Sequence, residues 1–199
     1  MGRPRSFREE DVIAGALDAF WRRGYSGTSI ADLETATGVS RISLYNAFGD
    51  KAALYRRALT RYSAQTQDYF GSEAFRRGGV EAIAALFRNS GRARAASAPE
   101  HSGCLMLNSL IDMDMIGDAA TGEIVLTRQA MVEGFEANLR HALASGALAP
   151  VSDEVLCDRA ELLLSALWGG RMSGRLARDA SQASGMARGV CELLELWRA

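Results

Sequence analysis

The stretch Thr28 to Lys51, TSIADLETATGVSRISLYNAFGDK, decides the fold of the amino-terminal quarter of the chain. Ile30, Leu33 and Ala36 or Thr37 recur at the spacing of an inward helix face, and Thr28 or Ser29 offers an oxygen to cap that helix. Gly38 suits the sharp turn that follows, Val39 plugs the core behind it, and Ser40 caps a further helix, Arg41 to Phe48. Leu44 and Phe48, four apart, face inward together, with Ile42 flanking them. Ser40, Arg41, Ser43, Tyr45, Asn46 and Lys51 are left for the outer surface. Two short helices about a tight turn, the second carrying polar, aromatic and basic groups outward, suit an element that enters the major groove of DNA. Arg41 is the best base reader of this set, because a guanidinium bonds guanine in bidentate fashion. Ser43 and Asn46 are secondary readers, the Asn amide matching adenine.

Working outward, residues 1–5 form a basic arm without apolar periodicity, expected to be flexible until bound. Ser6 and Glu9 have the spacing of a capping box for a first helix whose Val12, Ile13, Ala16, Leu17 and Phe20 share one face and which ends at Gly24. Asp50 can cap a long fourth helix, Lys51 to about Phe70. Gly78-Gly79 separates it from a helix at about Val80 to Asn89, after which an Ala-, Ser-, Gly- and Arg-rich loop ending at Pro99 is expected to be mobile. The GCLMLNSLIDMDM run (103–115) follows. Three more helices are expected at about Ala119–Ser145, from a cap at Ser152 or Asp153, and at Ala183–Trp197.

The 199 residues suffice for a sizeable core. Ala-rich, aliphatic composition with three prolines predicts an all-α protein: a three-helix helix-turn-helix domain (1–50) followed by a larger helical bundle (51–199), about nine helices in total. No apolar run approaches the roughly 20 residues of a membrane span, and the polar amino terminus lacks a signal core, so a soluble, cytoplasmic protein without membrane association is expected. Cys104, Cys157 and Cys191 are odd in number and widely spaced, which does not suggest a disulfide framework or a CxxC metal site, and reduced thiols are expected. His101 and His141 have no companion carboxylate cluster, so no metal and no cofactor is expected. Residues 1–62 carry ten basic groups against seven acidic ones, an excess of three in a chain of net charge −1, as expected if one end meets phosphate.

The order F-W-x-x-G-Y-x-G-T-S-I, then G-V-S-R-x-S-L-Y-N-A-F and G-D-K-x-x-L, over residues 7 to about 60, resembles the TetR/AcrR family of transcriptional regulators. The resemblance implies that Tyr45 and Lys51 contact phosphate, together with the capping region at Thr28 and Ser29, while Ser40, Arg41, Ser43 and Asn46 complete the DNA-binding set. The chain departs from the family at Ile42, where many members carry proline, and at Ala31, where many carry arginine; a base contact from position 31 is therefore absent.

The resemblance further implies a ligand-responsive regulator, a repressor, that binds an inverted-repeat operator as a homodimer and is released by a small-molecule inducer. Candidate pocket residues are Tyr62, Tyr69, Phe87, Cys104, Met106, Asn108, Phe135 and Trp168, an apolar set with a few polar anchors; each also suits plain core packing. Cys104, at a helix start after Gly103, reads either as a reactive thiolate that would make the effector an electrophile or as an inert buried thiol. Leu162, Leu163, Leu164, Leu167 and Met172, with Gly169-Gly170 allowing close approach, and Val190, Leu193, Leu194 and Trp197 in the last helix, suit a dimer interface of the last two helices. No phosphate loop, HExxH or GxSxG occurs, which argues against an enzyme. A helical dimeric adaptor that binds protein rather than DNA is the alternative.

Overall fold

The computed structural model describes residues 7–96, 104–173 and 180–199. Among these residues the chain is helical, with one isolated bridge between Leu148 and Arg198. The helices are α1 (Glu9–Arg23), α2 (Ile30–Thr37), α3 (Arg41–Phe48), α4 (Lys51–Gly71), α5 (Glu73–Arg76), α6 (Gly79–Ala96), α7 (Leu105–Ile111), α8 (Met113–Ile116), α9 (Asp118–Ala144), α10 (Asp153–Ser173) and α11 (Ala180–Leu196). The all-α class is as expected. The two elements beyond the expected nine are α5 and α8, four residues each, too short to leave a periodic signature.

Two boundaries differ from expectation. Arg8 occupies the cap position of α1 without a side-chain cap, so the helix starts later than a Ser6 cap would require; Ser6 and the basic arm lie outside the described residues. The helix expected to stop near Asn89 continues to Ala96. Ala and Arg, which give that stretch a loop-like composition beside Gly and Ser, are also good helix formers. The remainder of the expected mobile loop, 97–99, lies outside the described residues.

The chain forms two compact units that do not follow it linearly. Residues 1–64 and 105–125 form one, 65–104 and 126–199 the other. In the first, Val12, Ala16, Leu17 and Phe20 of α1 are buried, as are Leu33, Val39 and Leu44, Leu54, Tyr55, Ala58 and Leu59 of α4, and Leu105 and Met106 of α7. Helix α1 crosses α2 at Gly15, where a Cβ would stand 2.6 Å from the Ala36 carbonyl oxygen; a side chain there would force the two helices apart. Tyr55 meets Phe20 edge to face at 4.7 Å and Tyr25 at 5.1 Å, and its hydroxyl shares a 2.8 Å hydrogen bond with Ser109 of α7. The tyrosine thus ties α1, α4 and α7 with both its ring and its polar tip.

The second unit is built on a phenylalanine cluster. Phe70, Phe75 and Phe135 meet pairwise at 4.9–5.8 Å, and Phe87 stacks on Phe135 at 6.5 Å. Around it lie Ile83 of α6, Leu139 of α9, Leu156, Leu163 and Leu167 of α10, and Val190 and Leu194 of α11, all buried. Asn138, fully buried, donates to the Phe75 carbonyl at 2.5 Å. The Ala149 amide donates to the Trp197 carbonyl at 3.0 Å and holds down the end of α11. Among the described residues no helix is long and apolar enough to cross a membrane.

Candidate nucleic-acid interface

The helix-turn-helix is held by a sequence of local caps. Ser29 and Asp32 form a reciprocal capping box at the start of α2: the Ser29 hydroxyl accepts from the Asp32 amide at 3.1 Å, and the Asp32 carboxylate accepts from the Ser29 amide at 2.8 Å. The Ser29 hydroxyl also donates to that carboxylate at 2.6 Å, and this bond and the one from the Ser29 amide, with the Arg23 guanidinium beside them, hold the Asp32 carboxyl below its usual value. Gly38 closes α2 in the left-handed conformation (φ 68°, ψ 14°), its amide returning to the Glu34 carbonyl at 2.9 Å. Ser40 then caps α3. A second cap comes from α2 itself, where Glu34 Oε1 accepts the Arg41 amide at 2.5 Å. Two side chains therefore satisfy the first amides of α3 and fix its start against α2. Asp50 caps α4 as expected, accepting from the Ala53 amide at 2.6 Å.

With Leu44 buried, a helix of about 100° per residue turns Ile42 and Asn46 to the opposite face and leaves Arg41 and Tyr45 at its flanks, and all four are exposed. The Arg41 guanidinium lies 5.4 Å from the Tyr45 ring centroid, within cation–π range. Ser40 is exposed and Ser43 half-buried, their hydroxyls 3.1 Å apart. Ser29 is exposed at the start of α2. Lys51 is half-buried, its ammonium 4.2 Å from the Tyr25 ring centroid; burial lowers its pKa, and Asp112 works against that.

Two expectations are corrected. Thr28 is fully buried, and its hydroxyl donates to the Gly24 carbonyl at 2.7 Å; it locks the loop between α1 and α2 instead of facing a phosphate. Ile42 does not flank Leu44 inward but is 73% exposed. Two positions apart on a helix is a rotation of roughly 200°, so a buried Leu44 sends Ile42 to the opposite face.

Asp112, at the α7–α8 junction, was not legible as part of this site. Its carboxylate accepts the amides of Tyr25 at 3.0 Å and Ser26 at 3.4 Å and the Ser26 hydroxyl at 2.5 Å. It thereby grips the loop that leads into α2 from a segment 87 residues away in sequence.

The candidate pocket residues divide between the units. Tyr62, Met106 and Asn108 belong to the first, where Tyr62 packs edge to face on Trp21 at 5.1 Å and Asn108 donates to the Trp21 carbonyl at 3.5 Å. Tyr69, Phe87, Cys104, Phe135 and Trp168 belong to the second. Phe87 and Phe135 are buried in its phenylalanine cluster, while Tyr69 is 46% exposed. Cys104 is buried immediately before α7, which suits the space-filling role given to it beside the reactive one.

Residues 12–58, the span from α1 into α4 just described, match the family of bacterial regulatory proteins named for tetR. This amino-terminal segment is similar to that family's DNA-binding part. Over 61 residues it is 43% identical to the HTH-type transcriptional repressor ComR of Escherichia coli (strain K12), a match covering 31% of this chain and 29% of that repressor. The chain thus spans less than a third of the length of this repressor and of the HTH-type transcriptional repressor BdcR of the same strain, to which it is 41% identical over 61 residues. Among solved structures, the TetR-family regulator CifR, as a cysteine mutant in complex with a 26-bp double-strand operator DNA, aligns over 98% of this chain and 100% of its own with a TM-score of 0.75 at 28% identity. A TetR-family regulator from Agrobacterium tumefaciens shares the fold over 96% of this chain and 97% of its own, with a TM-score of 0.79 at 18% identity.

Proposed function

We propose that this protein is a TetR-type transcriptional repressor that binds an inverted-repeat operator as a homodimer and is released by a small-molecule inducer. The observation that carries the reading is the outward strip of Arg41, Tyr45 and Asn46 on a helix whose start is fixed by two side-chain caps. Arg41 and Asn46 read base edges; Tyr45, Ser29, Ser40 and Lys51 grip phosphate, with Ser43 as a secondary reader. The operator-bound state of CifR supports the same role here. Such a protein acts in the cytoplasm and without catalytic chemistry.

Dimerisation through α10 and α11 is supported by a stripe on α10 in which Leu162, Ser165, Gly169 and Met172, three, four and three residues apart, are exposed, with Val155 two turns earlier. Leu196 of α11 is 81% exposed, and a Cβ at Gly169 or Gly189 would meet nothing within 4 Å, leaving room for a partner helix. A ligand-anchoring role for Trp168 is supported by its buried indole N–H, which has no hydrogen-bond partner among the described residues. Helix α4 is the element through which ligand occupancy would alter the reading head, since a ligand shifts an equilibrium only by binding its two states unequally.

Fluorescence anisotropy of a duplex enriched from a random pool tests this reading. A regulator making six to ten phosphate contacts loses affinity by about 10³–10⁵ between roughly 50 and 200 mM salt. Candidate metabolites and electrophiles added at fixed salt should include one that releases the DNA. A helical adaptor would show no specific DNA binding at any salt concentration.

A further inference from the structure

Ile42 is the side chain on α3 that neither the fold nor the polar readers account for. It is 73% exposed in the first turn of the helix, between Arg41 and the half-buried Ser43. Its register places it about 40° from Asn46 and 60° from Tyr45 around the helix axis, on the face proposed to meet DNA. A singly exposed apolar residue is ordinary on a protein surface. This one, however, stands at the amino-terminal end of α3, which Ser40 and Glu34 hold in place, and that is the part of a docked recognition helix nearest the base edges. The branched side chain is stiff at χ1 in a helix, so its methyl groups form a fixed apolar surface.

We infer that Ile42 determines specificity by packing against the 5-methyl group of a thymine in each half-site, an inference that rests on the DNA-reading role proposed above. Of the four bases, thymine alone presents an apolar group in the major groove. Arg41 and Asn46 match the hydrogen-bonding edges of guanine and adenine; Ile42 matches the methyl. A cytosine at the same place presents a bare C5–H where thymine carries its methyl, so the apolar contact is lost and Ile42 also discriminates against the competing pyrimidine.

Deoxyuridine differs from thymidine only by that methyl, which makes the test direct. In the enriched duplex each thymine is replaced in turn by deoxyuridine, and affinity is measured for the full chain and for Ile42→Ala, with helix content and melting temperature recorded for both. Burial of one methyl group predicts about a fourfold loss per half-site on removing it, so about fifteenfold when both symmetric positions are changed. Ile42→Ala should bind thymine and uracil at that position equally, keep its melting temperature, and retain its preference elsewhere in the site. Ile42→Val, which keeps the branched end, should retain most of the discrimination. Specific binding that is indifferent to every methyl removal overturns the inference while leaving the DNA-reading role intact, and so does unchanged methyl sensitivity in Ile42→Ala. If no duplex is enriched, the DNA-reading role fails and the inference falls with it.

Discussion

Thr28 and Lys51 show how side chains near one motif take different duties. The Thr28 hydroxyl is buried and donates to the Gly24 carbonyl at 2.7 Å, so its work is within the protein. Thr28→Val keeps the shape and removes the donor, leaving a buried carbonyl short of a partner, and should cost about 1–2 kcal/mol of stability. Chemical denaturation reads that loss, and DNA affinity of the folded fraction should not change. Lys51 keeps its charge close to the surface, held over Tyr25. Lys51→Ala should weaken binding to all sequences alike and lower the salt dependence by about one phosphate contact per half-site, with the base preference unaltered. The inward duty of Thr28 could not be read locally, because Thr28 and Ser29 are both good caps and only packing chooses between them. The structure gives the cap to Ser29 and the loop to Thr28. Ile42 was legible in principle: its angle from Leu44 outweighs its apolar type.

At the level of elements, the reading head is tied non-locally by the grip of Asp112 on the loop between α1 and α2. The loop itself is conformationally demanding, since Gly24 stands at φ 73°. A carboxylate accepting two amides and a hydroxyl replaces the partners that the loop lacks within its own helices. Asp112→Ala should therefore destabilise the protein by about 1–3 kcal/mol, with hydrogen exchange accelerated first at the Tyr25 and Ser26 amides. DNA affinity should drop although Asp112 belongs to no DNA-facing helix; unchanged exchange at those two amides would contradict the assignment. Helix α2, its turn and α3 could be read from the sequence because caps and periodicity act within a few residues. The Asp112 bond crosses 87 residues and leaves no periodic trace, and the grouping of residues 105–125 with the amino-terminal unit was hidden for the same reason. The extension of α6 to Ala96 was missed because composition there favours loop and helix almost equally.

For the molecule as a whole, the proposed activity requires two reading heads related by a twofold axis, because one short α3 touches too few bases to single out a site. The exposed stripe of α10, with Leu162 48% exposed near its middle, is the surface on which that symmetry would rest. The all-α fold and the TetR-type character of residues 12–58 could be read from the sequence; the dimer face could not be separated from the core, since Leu163, Leu164 and Leu167 are buried within the chain itself while their neighbour Leu162 is not. The most direct test of the account is selection of bound duplexes from a random pool, carried out in parallel with the intact protein and with Leu162→Arg and measured together with its mass in solution. The account predicts a dimer that enriches an inverted repeat with half-sites about 10 bp apart or a multiple of that, and a variant that runs as a monomer and loses the paired site. Enrichment of no sequence, or of an unpaired half-site by an intact dimer, would contradict it.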